Sequence, residues 1–335
     1  MFAIYDDIIN DLQKTGGISV YWQNLKNNLN DKLEIECYNG GNLKRDIKIP
    51  LLIHRYLDFY ERNKAKHIFH SSYYRVSKNK NALNVVTVHD FVYEKYSKGV
   101  KRLLHQFQKK KAIFNAKKII CISENTKRDL LEFYPEIEEN RIRVIYHGVS
   151  NAFFKVNDLE IKNENKAKNI IFVGQRKGYK NFKTLLDSLL ILKNYNLILV
   201  GGGKLSSNEL KNLKKIKFKH YQNISDNKLN LLYNNSFVLI YPSLYEGFGL
   251  PILESMKAGC PVICNDGSST KEIGSRYVIK DKISTNFIIK SIKRLEQENF
   301  RNELITNGIN FASTFTWEKT ANQTFNLYKE LWDEY

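Results

Sequence analysis

Short apolar runs rich in Val, Ile, Leu and Phe recur along this chain. Each ends in a polar or glycine-bearing loop that leads into residues with helical spacing. In the first half Phe2-Ala-Ile-Tyr5, His67-Ile-Phe-His70, Asn84-Val-Val-Thr-Val-His-Asp90 and Lys118-Ile-Ile-Cys-Ile122 read as buried strands. Asn169–Val173, Asn196–Val200, Phe237–Tyr241 and Pro261–Cys264 read the same way in the second. Helices are predicted between them: Val20–Leu29, Ser97–Ala116, one opened by Ser123, one running through Leu190, and Asn227–Asn234. A further helix starts at Pro251 and stops at Gly259, and the last spans Trp317–Trp332. Strands alternating with helices imply an α/β fold with doubly wound parallel sheets.

Residues 151–168 break the alternation with Asn, Lys and Glu and read as a linker. The expected organisation is therefore a first Rossmann-like domain over residues 1–155 and a second over 165–315. Residues 316–335 form a helix that packs back toward the first domain. Composition agrees with this division. At 335 residues the chain is long for one core and natural for two domains of about 150 residues. No stretch approaches the roughly 18 apolar residues of a membrane span, and Asp6 and Asp7 interrupt the opening run. A cytoplasmic location is expected. Cys37, Cys121, Cys260 and Cys264 lack metal-ligand spacing and read as reduced thiols.

Charge adds one feature. The net charge is +18, and residues 61–120 hold fifteen Lys/Arg against Glu61, Asp90 and Glu94. Such a region attracts nucleic acid, anionic lipid or a phosphorylated substrate, unless it is simply a solvated surface. Nucleic acid is the least supported, because no recognition-helix or exposed-aromatic motif accompanies the charge. The segment 97–116 sets Lys101, Arg102 and Lys109–Lys111 beside Leu103, Leu104 and Phe107. This points to the anionic inner face of a membrane, with a core-facing stripe as the bland reading.

The candidate chemistry centres on Tyr241–Gly259. Its loop should leave the sheet at the carboxyl ends of the strands, where open α/β sheets bind ligands. The helix dipole alone would account for Glu254 in the first turns, but not for Glu246 beside Gly247, Phe248 and Gly249. Carboxylates accept from sugar hydroxyls. The loop after Val173 offers Arg176 and Lys180 to phosphate, as a fork and as a point charge. In the first half, Gly16-Gly17 precedes a helix and could cradle an anion, while His89 and Asp90 sit at a strand exit. These pieces describe a cleft between two domains that holds a nucleotide-linked sugar. No Asp-x-Asp motif for a metal on a diphosphate is evident.

Glu246-Gly-Phe-Gly-Leu-Pro-Ile-Leu-Glu254 resembles the Glu-x₇-Glu motif of the retaining glycosyltransferases of family 4, glycosyl transferases group 1, which have the two-domain GT-B architecture. Phe172–Phe182 resembles the signature that opens their second domain. Thr87–Asp90, Ile122–Asn125, Ile145–Val149 and Trp317–Ala321 extend the likeness over the whole chain. Tyr5-Asp-Asp with Gly16–Ser19 is similar to enzymes of bacterial O-antigen or capsule polysaccharide synthesis, mannosyltransferases among them. The resemblance implies Glu254 on the donor ribose and Glu246 facing the transferring sugar. Phe248, Gly249 and Leu250 would approach that sugar or its phosphate. Arg176 and Lys180 would lie on the diphosphate, Gly16 and Gly17 would contribute from the first domain, and His89 would stand near the reacting centre. Ile224 or Ser225 would lie near the base. Gln175 and the compact Arg–Lys spacing depart from many members of the family.

The implied reaction retains the anomeric configuration, needs no metal or other cofactor, and uses a nucleoside-diphosphate sugar such as GDP-mannose. The implied acceptor is a glycan hydroxyl, carried on a polyprenyl diphosphate. The leaving phosphate helps to deprotonate that hydroxyl, and a covalent intermediate on Glu246 is the less favoured route. A sugar-nucleotide epimerase or a phosphorylase on the same fold is the alternative.

Overall fold

The computed structural model describes residues 1–13, 16–38, 55–61, 63–157 and 169–335. Most of the segment read as a linker, from residue 158 to 168, lies outside them. The chain divides into two compact units, Met1–Gly148 with Thr316–Tyr335, and Val149–Phe315.

The first unit holds a six-stranded parallel sheet. Its strands are β1 (Phe2–Tyr5), β2 (Glu34–Cys37), β3 (His67–Ser71), β4 (Ala82–Val88), β5 (Lys118–Cys121) and β6 (Ile142–Val144). Their spatial order is β2-β1-β3-β4-β5-β6. β3 is buried along its whole length, as a strand covered by helices on both faces must be. The helix Trp317–Glu334 buries Trp317, Ala321, Leu327, Tyr328 and Leu331 in this unit. It begins directly against Gly148, where an added Cβ would stand 2.1 Å from the Trp317 backbone nitrogen. Only glycine fits there.

The second unit repeats the scheme with β7 (Asn169–Val173), β8 (Asn196–Val200), β9 (Phe218–Tyr221), β10 (Val238–Tyr241), β11 (Val262–Asn265) and β12 (Ile279–Asp281). The order is β12-β11-β10-β7-β8-β9, all parallel. Chain order runs outward from β7 to β9, then reverses to the other side of β7 with β10. The loops leaving β7 and β10 therefore diverge at a topological switch point, the place where such sheets form a ligand crevice. Beneath them lies a core of Ile170, Phe172, Leu185, Leu197, Leu199, Val238 and Ile240.

All four cysteines are free, and Cys121, Cys260 and Cys264 are buried. Among the described residues no group of His, Cys, Asp or Glu could hold a metal ion, and no helix is long and apolar enough to cross a membrane.

Candidate functional site

In the second unit, Gly174 leaves β7 with φ 119°, followed by a single 3₁₀ turn at Gly178–Lys180. That turn brings Lys180 over the β10 loop. Its Nζ donates to Glu246 Oε1 at 2.6 Å, with both side chains largely buried. The Leu244 amide donates to the Tyr179 carbonyl at 2.8 Å, so the backbones of the two loops are also joined. Tyr241, at the end of β10, bonds Glu246 as well. Burial pushes its phenol well above the usual range, and the Glu246 charge adds to the effect.

The Glu246 loop is pinned from below. Its Glu246 amide donates to Ser268 Oγ at 2.9 Å, and Ser269 Oγ donates to the carbonyls of Glu246 and Phe248 at 2.9 and 2.8 Å. Gly249 then turns the chain with φ 106° into the helix Leu250–Lys257, whose second residue is Pro251. The amide of Leu250 has no acceptor within the helix, so a partial positive charge faces the loop. Glu254 lies one turn further along and accepts from Tyr233 Oη at 3.0 Å. Burial lifts its carboxyl to about 7, the Tyr233 bond pulls it back, and the Asp226 charge raises it further. Tyr233 and Asp226 belong to the helix Asp226–Asn234, capped by Ser225, whose Oγ accepts from the Lys228 amide at 3.3 Å. Ser225 is thus a helix cap, with Ile224 just before it.

Lys180, Glu246, Gly249, Leu250 and Glu254 accordingly stand around the switch point, as the sequence led us to expect. Arg176 does not present a free fork to phosphate. It is 8% exposed and engaged at all three nitrogens. Nε donates to Glu209 Oε1 at 2.7 Å and Nη1 to Gly201 O at 2.8 Å. Nη2 donates to the carbonyls of Gly202, Gly203 and Lys204 at 3.1, 3.0 and 3.2 Å. Gly201, Gly202 and Gly203 all have φ between 71° and 78°, which turns their carbonyls toward one point. The guanidinium fills that point, and a Cβ on Gly202 would come within 2.3 Å of it. Burial pushes the Glu209 carboxyl up, but the Ser206 amide and hydroxyl together with Arg176 hold it down at about 2. Arg176 therefore shapes the loop after β8.

Tyr233, Tyr241, Ser268, Ser269 and Glu209 were not singled out from the sequence. The only signal available was the position of Tyr241 and the serine pair just beyond strand ends.

In the first unit, Gly16 caps the helix Gly17–Leu29 with φ 153°. Among the described residues, nothing lies within 4 Å of a Cβ placed on Gly17. His89 follows β4 and is 7% exposed. Its ring packs edge-on to Tyr21 at 5.2 Å, and Tyr21 stacks on His147 at 4.8 Å. Burial first and the Lys109 charge second pull the His89 pKa to about 3, so the imidazole is neutral at physiological pH. Its Nε2 has no hydrogen-bond partner among the described residues. A buried ring nitrogen of this kind is suited to one hydrogen bond with a ligand. Tyr21 is held in turn by Thr87, which also accepts or donates at His70 Nε2 (2.9 Å), while His70 Nδ1 meets Tyr328 Oη at 2.5 Å.

Two families match the chain in tandem. Residues 15–153 match glycosyltransferase family 4, and residues 155–311 match glycosyl transferases group 1. The O-antigen chain mannosyltransferase B of Escherichia coli is 32% identical over 175 residues, which is 48% of this chain and 45% of that one. An O-antigen chain mannosyltransferase of Salmonella typhimurium is 28% identical over 223 residues, 63% of this chain and 61% of its own length. The chain thus spans roughly half to three fifths of the length of these relatives. Among solved structures, a sucrose-phosphate synthase from Thermosynechococcus elongatus superposes with TM-score 0.80 at 18% identity, over 100% of this chain and 99% of that one. The Anabaena protein HepE, solved with UDP and glucose, superposes with TM-score 0.73 at 14% identity, over 98% and 99%. At these identities the likeness is one of fold, and the fold is GT-B.

Proposed function

The chain belongs to the glycosyltransferases of group 1 and family 4, and we propose that it moves a sugar from a nucleoside-diphosphate sugar to a glycan hydroxyl with retention at the anomeric carbon. The observation that carries this reading is the set Lys180, Glu246, Leu250 and Glu254 at the switch point of the second sheet. Lys180 supplies a cation for the departing diphosphate. Its ammonium has three N–H donors, so a bond to Glu246 and a bond to a phosphate oxygen are compatible. The amide end of the helix at Leu250 adds electrostatic stabilisation aimed at the same charge.

Glu246, held by Lys180 and Tyr241, aligns hydroxyls of the transferring sugar, and Glu254 accepts from the ribose. His89, in the first unit, is neutral, so it can give a ligand a hydrogen bond rather than a proton. Arg176 acts through the loop it shapes and is a positioning residue. With Lys180 as the cation at the diphosphate, the reading needs no metal, and the leaving phosphate takes up the acceptor proton.

The names of the Escherichia coli and Salmonella relatives support mannose as the sugar and an O-antigen chain as the acceptor, and the donor we propose is GDP-mannose. We read the acceptor as carried on a polyprenyl diphosphate, with the enzyme working as a peripheral protein at the inner face of the membrane.

Glu254 makes the reading testable by pH. Its carboxyl is lifted to about 7, and ribose hydroxyls donate most strongly to it when it is ionised and both oxygens accept. Donor binding therefore favours the deprotonated form, releases a proton and strengthens as pH rises. Nucleotide-sugar affinity should be weaker at pH 6 than at pH 8 by up to about tenfold, the factor by which the ionised fraction changes across the midpoint. The diphosphate diester of the donor does not titrate in this window. Calorimetry with a panel of GDP- and UDP-sugars measures the effect. A Glu254→Gln variant should bind more weakly with a flat profile, and a flat profile in the unaltered protein would remove Glu254 from the ribose.

A further inference from the structure

The helix Val100–Asn115 is built inside out. Its buried side carries His105, Gln108 and Lys109 beside Ala112 and Ile113. Its outer side carries Val100, Leu103 and Phe107 at 70%, 65% and 71% exposure, with Leu104 and Phe114 also exposed. The inward polar groups are held by specific partners. Lys109 Nζ donates to Glu94 Oε2 at 2.9 Å and to Asp90 O at 2.7 Å, and its ammonium lies 4.4 Å from the Phe91 ring centroid. His105 stacks on Tyr93 at 3.9 Å, and Gln108 Nε2 donates to Tyr73 O at 3.2 Å. Rotating the helix to bury its leucines would carry Lys109 into solvent and leave Glu94 as an unpaired buried charge. The core-facing reading of the apolar stripe is therefore wrong for Leu103, Leu104 and Phe107, and the apolar residues that this helix does bury are Ala112 and Ile113.

The exposed positions 100, 103, 104 and 107 follow one helical stripe, and a contiguous apolar patch of this kind marks an interaction surface. Its surroundings say which. From Lys95 to Ser123 the sequence has nine Lys/Arg and no Asp or Glu. Lys98, Lys101 and Lys110 are exposed on or beside the stripe. Some of the nine are already paired: Lys109 with Glu94, Lys111 with Asp58 and Lys95 with Asp129. The stripe runs on into a hollow of about 170 Å³ whose walls include Tyr56, Tyr74, Leu104, Phe107 and Lys111.

We propose that this face docks the protein on an anionic lipid bilayer. Val100, Leu103 and Phe107 enter the interfacial region, and Lys98, Lys101 and Lys110 meet lipid phosphates. Apolar side chains flanked by snorkelling lysines fit a charged lipid–water boundary, and the unopposed positive charge selects anionic headgroups. The patch is too small to anchor irreversibly, so binding is reversible and sensitive to salt. The inference deepens the proposed function, resting on a lipid-linked acceptor that would lie at the same surface.

Co-sedimentation tests it, with phosphatidylcholine vesicles either pure or containing about 30% phosphatidylglycerol, an anionic surface of the required kind. The protein should bind the anionic vesicles at least about tenfold more strongly than the neutral ones. The pairs Leu103→Glu with Phe107→Glu, and Lys101→Glu with Lys110→Glu, should each weaken binding about tenfold while leaving the melting temperature unchanged. No binding, equal binding to neutral vesicles, or undiminished binding by both variants would overturn the proposal. So would lipid-free self-association abolished by Leu103→Glu with Phe107→Glu, which would make the face a contact between copies. Donor hydrolysis by the same preparations separates the two claims. Turnover without docking removes only the docking face, and docking without any turnover removes only the enzymatic reading.

Discussion

Lys180→Ala should lower kcat for sugar transfer by about 10² to 10³, the usual loss when one preorganised donor to a developing charge is removed. The leaving group in this reaction is a nucleoside diphosphate, and Lys180 is the cation set beside Glu246 at the end of β7. Alanine removes the charge and also frees Glu246 from its 2.6 Å partner. Both changes act on the reacting centre, so the loss should fall mainly on kcat rather than on KM for the donor. The fold should survive, because Leu244 N to Tyr179 O and the Ser268 and Ser269 bonds hold the two loops without it. Release of nucleoside diphosphate under saturating donor measures the effect, with circular dichroism as the check on folding. Turnover within twofold of the unaltered protein would take Lys180 out of the mechanism.

Arg176→Ala should fail differently. It removes donors from four carbonyls and from Glu209, and three of those carbonyls belong to consecutive glycines with positive φ. Nothing else in that loop matches the geometry of a guanidinium fork, so Lys should not rescue it. The expected cost is about 3 kcal/mol, from Glu209 and several acceptors losing a charged partner at once. The melting temperature should fall by several degrees, and turnover should drop with it. Glu209→Gln should show the same pattern in milder form, since Ser206 still caps the helix Ser207–Leu213. A variant that melted normally and lost only donor affinity would restore Arg176 to the phosphate and refute its role in shaping the loop.

Buried parallel strands announce themselves as β-branched runs, so β3, β4, β7 and β10 were legible, and with them the strand exits that carry His89, Lys180 and Glu246. A short strand with exposed positions, such as β9 (Phe218–Tyr221) or β12 (Ile279–Asp281), has no such run and was not anticipated. Glu246 and Glu254 were legible because a glycine-bearing loop and Pro251 fix the helix start between them. Their tyrosine partners were not, because Tyr233 reaches Glu254 from another helix, and Tyr241 reads simply as the last residue of a strand.

Arg176 misled for a physical reason. A guanidinium near a predicted phosphate site is ambiguous until the backbone shows whether carbonyls already surround it. Lys109 misled in the same way: counted in a basic cluster, it is fully buried against Glu94. Periodicity located the helix Val100–Asn115 to within a few residues, but it assumes that apolar residues face inward. A buried Lys–Glu pair reversed that assumption.

The central claim is that the switch point of the second sheet binds a nucleotide sugar for transfer. The most direct measurement follows a panel of GDP- and UDP-sugars with a polyprenyl-diphosphate-linked glycan acceptor, resolving the product by mass and by anomeric proton coupling. Nucleoside diphosphate release should be matched one for one by a glycosylated acceptor whose new linkage keeps the donor's anomeric configuration. Donor consumed without an acceptor product, or a linkage of inverted configuration, would contradict it.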